Sequence, residues 1–70
     1  MKLSARNVLE GKVVSIKEGP VSTEVTIVLA CGTQVVSSIT STSAKSLNLE
    51  VGKKAYAVIK ASNVMVGTDE

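Results

Sequence analysis

The sequence has no His, Trp or Phe, and only one Tyr, one Cys and one Pro among its 70 residues. The lack of His excludes Ser-His-Asp and Cys-His catalysis and the common zinc fingers. A single Cys cannot close an intrachain disulfide, which is typical of a reducing compartment, and we expect a cytoplasmic protein. No general base and no cluster of metal ligands is visible, so we expect neither an enzyme nor a bound cofactor or metal.

Low net charge and short apolar runs exclude two further classes of protein. Eight basic and six acidic residues leave a formal net charge of +2, which is small for a protein that binds DNA as a polycation. The longest apolar run, Ile27 to Cys31, falls well short of the ~20 residues of a membrane-spanning helix. Ser4, Arg6 and Asn7 interrupt the start of the chain, so a secretory signal is not expected. We expect no nucleic-acid partner and no membrane partner.

The sequence is nevertheless 44% apolar, and its length fits a single domain over residues 1–70. A domain near this length buries only ~60% of the surface that its unfolded chain exposes. Its core must consist of Val, Ile, Leu and Ala, which bury less area than aromatic rings. We therefore expect the chain to bury more surface against copies of itself.

Twelve Val, four Ile and six Thr predict a mainly β protein, because β-branched side chains pack well on a pleated sheet. In the second of the predicted strands, apolar and polar residues alternate with the period of two that is typical of a half-buried strand. In the first, Val14 and Ile16 are expected to share one face, and Gly11 to mark a bend or bulge. The five predicted strands are Asn7 to Lys17, Val21 to Leu29, Thr33 to Thr40, Lys54 to Lys60 and the short Val64 to Val66.

A short helix is expected between the third and fourth strands, capped by the hydroxyl of Ser41 or Thr42. The first three strands are expected to form a meander. Five short strands with one such helix predict an all-β fold, a small five-stranded barrel of the oligonucleotide/oligosaccharide-binding (OB) type.

Three polar segments interrupt the apolar pattern: SARN (Ser4 to Asn7), KEGPVS (Lys17 to Ser22) and KASN (Lys60 to Asn63). Each offers hydroxyls or amides, backbone N–H groups and one cation, which are donors that can surround an anion. SARN and KASN contain no carboxylate, so a site built from them would favour fully deprotonated sulfate, molybdate or tungstate over hydrogen phosphate. The alternative is that Arg6 and Lys60 are ordinary solvated charges and that Gly19 and Pro20 form an ordinary turn.

Four stretches of the sequence resemble one known family: SARN, GKVVSIKEG from Gly11, TEVTIVL from Thr23 and VGKKAYAVIKASNVMV from Val51. Together they are similar to the molbindins, the stand-alone form of the molybdate-binding Mop or TOBE domain, over nearly the whole chain. The sequence departs from the family pattern at Val8 and Glu10, where Gln and Lys are common. Glu10 adds a negative charge near SARN.

The resemblance implies a non-catalytic, intracellular protein that binds molybdate or tungstate between subunits, for molybdenum storage or homeostasis. It also implies a five-stranded barrel paired by strand exchange and a homo-oligomer, a hexamer built as a trimer of dimers. The residues implied around one oxyanion are Ser4, Ala5, Arg6 and Asn7 of one subunit, with Lys60, Ala61 and Ser62 of a neighbour. Gly19, Val21 and Ser22 resemble a second oxyanion site near a three-fold axis, made mainly of backbone N–H groups.

Two other functions stay open on the sequence alone. One is an OB-like nucleic-acid-binding module, although such barrels usually stack bases on aromatic side chains, of which this chain has a single Tyr. The other is a purely structural assembly domain, in which the donor segments hold subunits together and bound anions are incidental.

Overall fold

Four antiparallel strands form one sheet in the computed structural model, which describes residues 1–69. The elements are β1 (Asn7–Lys17), β2 (Ser22–Leu29), β3 (Gln34–Thr40), helix α1 (Ser41–Ser46), β4 (Lys54–Ile59) and a 3₁₀ turn (Ala61–Asn63). The sheet has the order β3-β2-β1-β4. It curls so that β2 contacts β4 across β1, which gives a half-barrel. The predicted mainly β fold and the β1-β2-β3 meander are confirmed.

The core lies on the concave face of this sheet. In β2, Thr23, Val25 and Ile27 are buried, as the alternation of the sequence predicted, because successive side chains of a strand point to opposite faces. The buried apolar side chains are Val13, Val25, Ile27, Ala55 and Ala57, with Ile16, Leu29, Val35, Ile39 and Leu49 packed against them. This is a small core for a folded domain, as the lack of aromatic residues led us to expect. Within the described residues, no helix is long and apolar enough to cross a membrane.

The bulge in β1 lies between Val13 and Ser15, and the prediction that placed it at Gly11 was wrong. The extra residue, Val14, is exposed, whereas Ile16 packs against the core, so the two do not share a face as expected. Gly11 is required for a different reason. A Cβ atom there would lie 2.5 Å from the carbonyl oxygen of Val28 and 2.6 Å from Cγ2 of Ile27. The neighbouring strand thus approaches too closely for any side chain.

Helix α1 begins one residue earlier than the predicted caps allow. Its N-cap is Thr40, whose Oγ1 accepts a hydrogen bond from the backbone N–H of Ser43 at 3.1 Å. Ser41 and Thr42, the predicted caps, lie inside the helix. The position of the cap depended on where β3 ends, and the sequence pattern locates strand ends only to within a residue or two.

The predicted fifth strand, Val64 to Val66, is not a strand in this structure. Val64, Met65 and Val66 follow the 3₁₀ turn without regular structure and are 48%, 94% and 89% exposed. A strand needs the free edge of another strand to satisfy its backbone groups, and these residues pair with no strand within residues 1–69. The described sheet therefore has four strands.

Ser41 joins helix α1 to the turn between β1 and β2. Its hydroxyl donates to the carbonyl oxygen of Gly19 at 2.6 Å, and its backbone N–H donates to the carbonyl oxygen of Val21 at 2.8 Å. Because the Ser41 proton is used on Gly19, the buried Thr23 hydroxyl, 2.8 Å away, donates to Ser41. One side chain thus satisfies a buried hydroxyl and fixes the Gly19–Ser22 turn.

Replacing Ser41 by Ala is expected to destabilise the fold by about 1–3 kcal/mol, because it leaves the Thr23 hydroxyl buried without its acceptor. Thermal unfolding followed by circular dichroism measures this loss. Ser46→Ala is the matched control, since Ser46 lies in the same helix, is exposed and makes no side-chain hydrogen bond within residues 1–69. Equal melting temperatures for the two variants would contradict the role given to Ser41.

Candidate oxyanion-binding site

The pairing of β1 with β4 brings the SARN and KASN segments together. Asn7 and Ile59 form the outermost pair of this ladder. Arg6, which precedes β1, and Lys60, which follows β4, are therefore the next residues outward on the two strands. Ser4 to Asn7 and Lys60 to Ser62 therefore lie at the same end of the sheet, although more than fifty residues separate them in sequence. The structure places the two segments side by side within a single chain.

Asn7 joins the two segments directly through its side chain. Its Nδ2 donates a hydrogen bond to the carbonyl oxygen of Ile59 at 3.2 Å, and the side chain is half-buried. Ala5 is also half-buried, whereas the remaining residues of the set are exposed: Ser4, Arg6, Lys60, Ala61 and Ser62. The sequence pattern did not point to Ile59, because its contribution is a backbone carbonyl that any residue type supplies.

Arg6 and Lys60 provide two positive charges that form no ion pair within residues 1–69. The ion pairs among residues 1–69 are Lys17 with Glu24 at 4.0 Å and Lys54 with Glu10 at 3.9 Å, and neither involves Arg6 or Lys60. Both side chains are exposed. An anion that approaches this end of the sheet thus meets two cations that need not break an existing ion pair.

The backbone of the KASN segment adds further donors. The carbonyl oxygen of Lys60 accepts from the N–H of Asn63 at 2.8 Å, and that of Ala61 accepts from the N–H of Val64 at 3.2 Å. These turn bonds use two carbonyls but leave the N–H groups of Ala61 and Ser62 without an acceptor in the described part of the chain. With the Ser4 and Ser62 hydroxyls, the site has many donors and no carboxylate.

Glu10 does not belong to this site. It lies three residues along β1 from Asn7, roughly 10 Å at the rise of an extended strand, and it pairs with Tyr56 of β4. Its carboxylate lies 3.9 Å from Nζ of Lys54. The neighbouring Tyr56 side chain, whose ring centre lies 5.7 Å from Nζ, and, next, the charge of Glu10 raise the pKa of Lys54. The structure thus sets the charge of Glu10 against Lys54 rather than against Arg6.

Of the second predicted set, Gly19 and Val21 lie in the turn before β2, and Ser22 is the first residue of β2. A Cβ on Gly19 would lie 2.5 Å from the carbonyl oxygen of Ser22, so the tightness of the turn requires Gly. Ser41 occupies the carbonyls of Gly19 and Val21, whereas the N–H groups of these two residues find no acceptor within residues 1–69. The turn therefore presents backbone donors, as predicted, although Pro20 between them has none.

The groove beside this turn carries the opposite charge balance. It has a volume of about 420 Å³ and an apolar floor that includes Ile16 and Leu49. Glu18, Glu50 and Lys45 line it, so two carboxylates face one ammonium group. Gly19 lines the groove, whereas Val21 and Ser22 do not. An anion is favoured less here than beside Arg6 and Lys60.

Within the described residues, no group of three or more His, Cys, Asp or Glu could hold a metal ion. The single thiol, Cys31, is exposed in the turn between β2 and β3.

A curled four-stranded sheet with one short helix, and a carboxylate-free cluster of donors at one end, define a small β domain suited to anions. The chain belongs to the TOBE domain family, whose pattern matches residues 3–66. The family resemblance of the sequence is thereby confirmed.

Individual relatives carry more detailed names. The chain is 54% identical over 69 residues to a probable molybdenum-pterin-binding protein of Haemophilus influenzae, covering 99% of this chain and 100% of that protein. Its fold matches a molybdate-binding protein from Sporomusa ovata with a TM-score of 0.91 and 37% identity, over 97% of this chain and 100% of the other. It also matches the cytoplasmic molybdate-binding protein ModG, with a TM-score of 0.88 and 48% identity, over 93% of this chain and 46% of ModG.

Proposed function

We propose that this protein is a cytoplasmic molybdate-binding protein that captures the free oxyanion reversibly, for molybdenum storage or homeostasis, and also accepts tungstate. The observation that carries the proposal is the position of Arg6 and Lys60, two cations without an ion pair within residues 1–69, next to the outermost pair of the β1–β4 ladder. The relatives named as molybdate-binding proteins support the choice of anion, and the description of ModG as cytoplasmic supports the compartment. The role is binding rather than catalysis.

The chemistry of the donors fits a dianion with four oxygens. Arg6 offers a planar fork of N–H groups and Lys60 a compact ammonium group, while hydroxyls and backbone N–H groups reach the remaining oxygens. Each charge-assisted hydrogen bond contributes about 1.5–3 kcal/mol. Three or four such bonds reach the roughly 8 kcal/mol of a micromolar complex.

Although the two segments also lie at the same end of the sheet within one chain, we further propose that each anion is held between subunits, with Ser4 to Asn7 of one copy and Lys60 to Ser62 of a neighbour around it. Three observations support sharing: β4 is an edge strand of the described sheet, Val58 on it is exposed, and the apolar residues 64–66 lie against no strand. Addition of residues 64–66 to another copy would complete a five-stranded barrel and cover this surface. In the hexamer, a trimer of dimers, the N–H groups of Gly19, Val21 and Ser22 form the second oxyanion site.

The proposal predicts that molybdate and tungstate raise the melting temperature, because they bind only the folded protein. At a free anion concentration one hundred times the Kd, the stabilisation is ~2.7 kcal/mol per site. Phosphate at the same concentration is expected to give a much smaller shift, because hydrogen phosphate carries a proton for which the site has no carboxylate acceptor. Scanning calorimetry in buffer free of sulfate and phosphate measures these shifts.

Sodium chloride at matched ionic strength is the control, since it reports general screening of charge. Native mass spectrometry of the same samples counts subunits and bound anions. No shift with molybdate and no bound anion in the mass spectrum would overturn the proposed function. An equal shift with phosphate would contradict the donor-only character of the site.

A further inference from the structure

Asn7 differs from the other residues of the proposed site because its side chain already has a partner. Its Nδ2 donates to the carbonyl oxygen of Ile59, whereas the side chains of Arg6 and Lys60 make no ion pair within residues 1–69. A primary amide has two N–H donors and one oxygen that only accepts. The Asn7 oxygen has no donor in the described part of the chain, and an oxyanion beside it would meet a second acceptor. With one Nδ2 N–H committed to Ile59, the Asn7 side chain keeps a single donor beside its unpaired oxygen, and it is a weaker ligand for an anion than Arg6 or Lys60.

The same hydrogen bond fixes the direction of the neighbouring peptide. In a planar trans peptide, the carbonyl of Ile59 and the N–H of Lys60 point in opposite directions. Since the Ile59 oxygen faces Asn7, the Lys60 N–H faces the open edge of β4, away from β1. The 3₁₀ turn starts at this point, because the Lys60 carbonyl accepts from Asn63 at 2.8 Å. The β1–β4 ladder already turns the Ile59 carbonyl toward β1, and the Asn7 side chain adds a second bond that holds the peptide from which the chain to Ser62 leaves the sheet.

We infer that Asn7 is a positioning residue: it orients the Ile59–Lys60 peptide so that Lys60, Ala61 and Ser62 face the anion, and it does not bind the anion itself. The inference rests on the proposed function and assigns one residue of the proposed site to a different role. It predicts that the segment after β4 is preorganised before any anion arrives.

The first test follows the side-chain amide protons of Asn7 by NMR while the ¹⁵N-labelled wild-type protein is titrated with molybdate. The backbone N–H signals of Ala61 and Ser62 are expected to move downfield as they donate to the anion. The Asn7 amide protons are expected to stay in place, because their partner, Ile59, is the same in both states. A downfield movement of the Asn7 amide protons as large as that of the backbone signals would overturn the inference.

The second test is Asn7→Leu, which keeps a similar volume but cannot donate a hydrogen bond. We expect its molybdate affinity to fall about tenfold. In the anion-free protein, we expect faster hydrogen exchange at Asn63 and Val64, whose N–H groups bond within the turn. Gln34→Leu removes an exposed amide from the far edge of the sheet and is the matched control.

An Asn7→Leu protein with the affinity of the control, or with weaker binding but unchanged exchange at Asn63 and Val64, would overturn the inference. Failure of the wild-type protein to bind molybdate is a separate result that overturns the proposed function. The two failures are distinguishable, because the exchange measurement needs no anion.

Discussion

Replacement of Arg6 and Lys60 together by Ala is expected to abolish measurable molybdate binding while the fold remains intact. Loss of two charge-assisted contacts costs about 3–6 kcal/mol of binding free energy, or roughly two to four orders of magnitude in Kd. Both side chains are exposed and unpaired among residues 1–69, so their removal leaves no buried group without a partner. The melting temperature without anion should therefore change little.

Isothermal titration calorimetry in sulfate-free buffer measures the affinity, and native mass spectrometry measures the assembly. Lys12→Ala with Lys53→Ala is the matched control, because it lowers the net charge by the same amount at two exposed positions that belong to neither proposed site. Binding by the Arg6 and Lys60 variant as tight as that of the control would contradict the site. If this variant instead loses its assembly in the absence of any anion, the donor segments hold subunits together, and a purely structural domain is favoured.

The strands were the part of the fold that the sequence pattern predicted best. The bounds of β1 agree with the prediction, and Thr23, Val25 and Ile27 of β2 are buried as their alternation indicated. These features follow from local chemistry, because β-branched residues and a period of two are visible within a few positions. The bulge at Val14 was not predicted, since it depends on the register of β1 against β2.

The candidate site was predictable only in part. The donor character of SARN and KASN follows from their composition, but nothing in their spacing shows that they meet. Their meeting depends on the antiparallel register that pairs Asn7 with Ile59. The acceptor of the Asn7 amide is a backbone carbonyl, which every residue type has, so the sequence pattern does not identify it. Resemblance to the molbindins predicted that the two segments meet around one anion between neighbouring subunits, whereas the register brings them to the same end of the sheet within one chain.

The single chain leaves much apolar surface uncovered, and this surface is concentrated near the end of β4. Val58, Val64, Met65 and Val66 are all exposed, in a domain whose buried apolar core consists of only five side chains. Exposed apolar residues that follow one another along a segment mark contacts with other chains more often than isolated ones do. The proposed pairing of residues 64–66 with another copy would account for both the missing fifth strand and this exposed surface.

Substitution of Val64 and Val66 together by Asp is accordingly expected to convert the assembly into single chains. Two carboxylates would have to enter an apolar contact, and unpaired buried charges are strongly disfavoured. Because the proposed sites are shared between subunits, molybdate affinity should fall in the same variant even though Arg6 and Lys60 are unchanged. Its melting temperature should also fall, because the small core would lose the stabilisation that a second copy provides.

Native mass spectrometry and calorimetric titration together test this expectation. Val36→Asp with Val51→Asp is the matched control, because both residues are exposed and lie outside β4 and the segment that follows it. Assembly and molybdate affinity equal to those of the wild type in the Val64 and Val66 variant would contradict pairing through residues 64–66. Loss of assembly in the control pair alone would place the contact between copies on the β3 side of the sheet. Single chains that still bind molybdate with full affinity would show that the register of β1 against β4 builds the whole site within one chain.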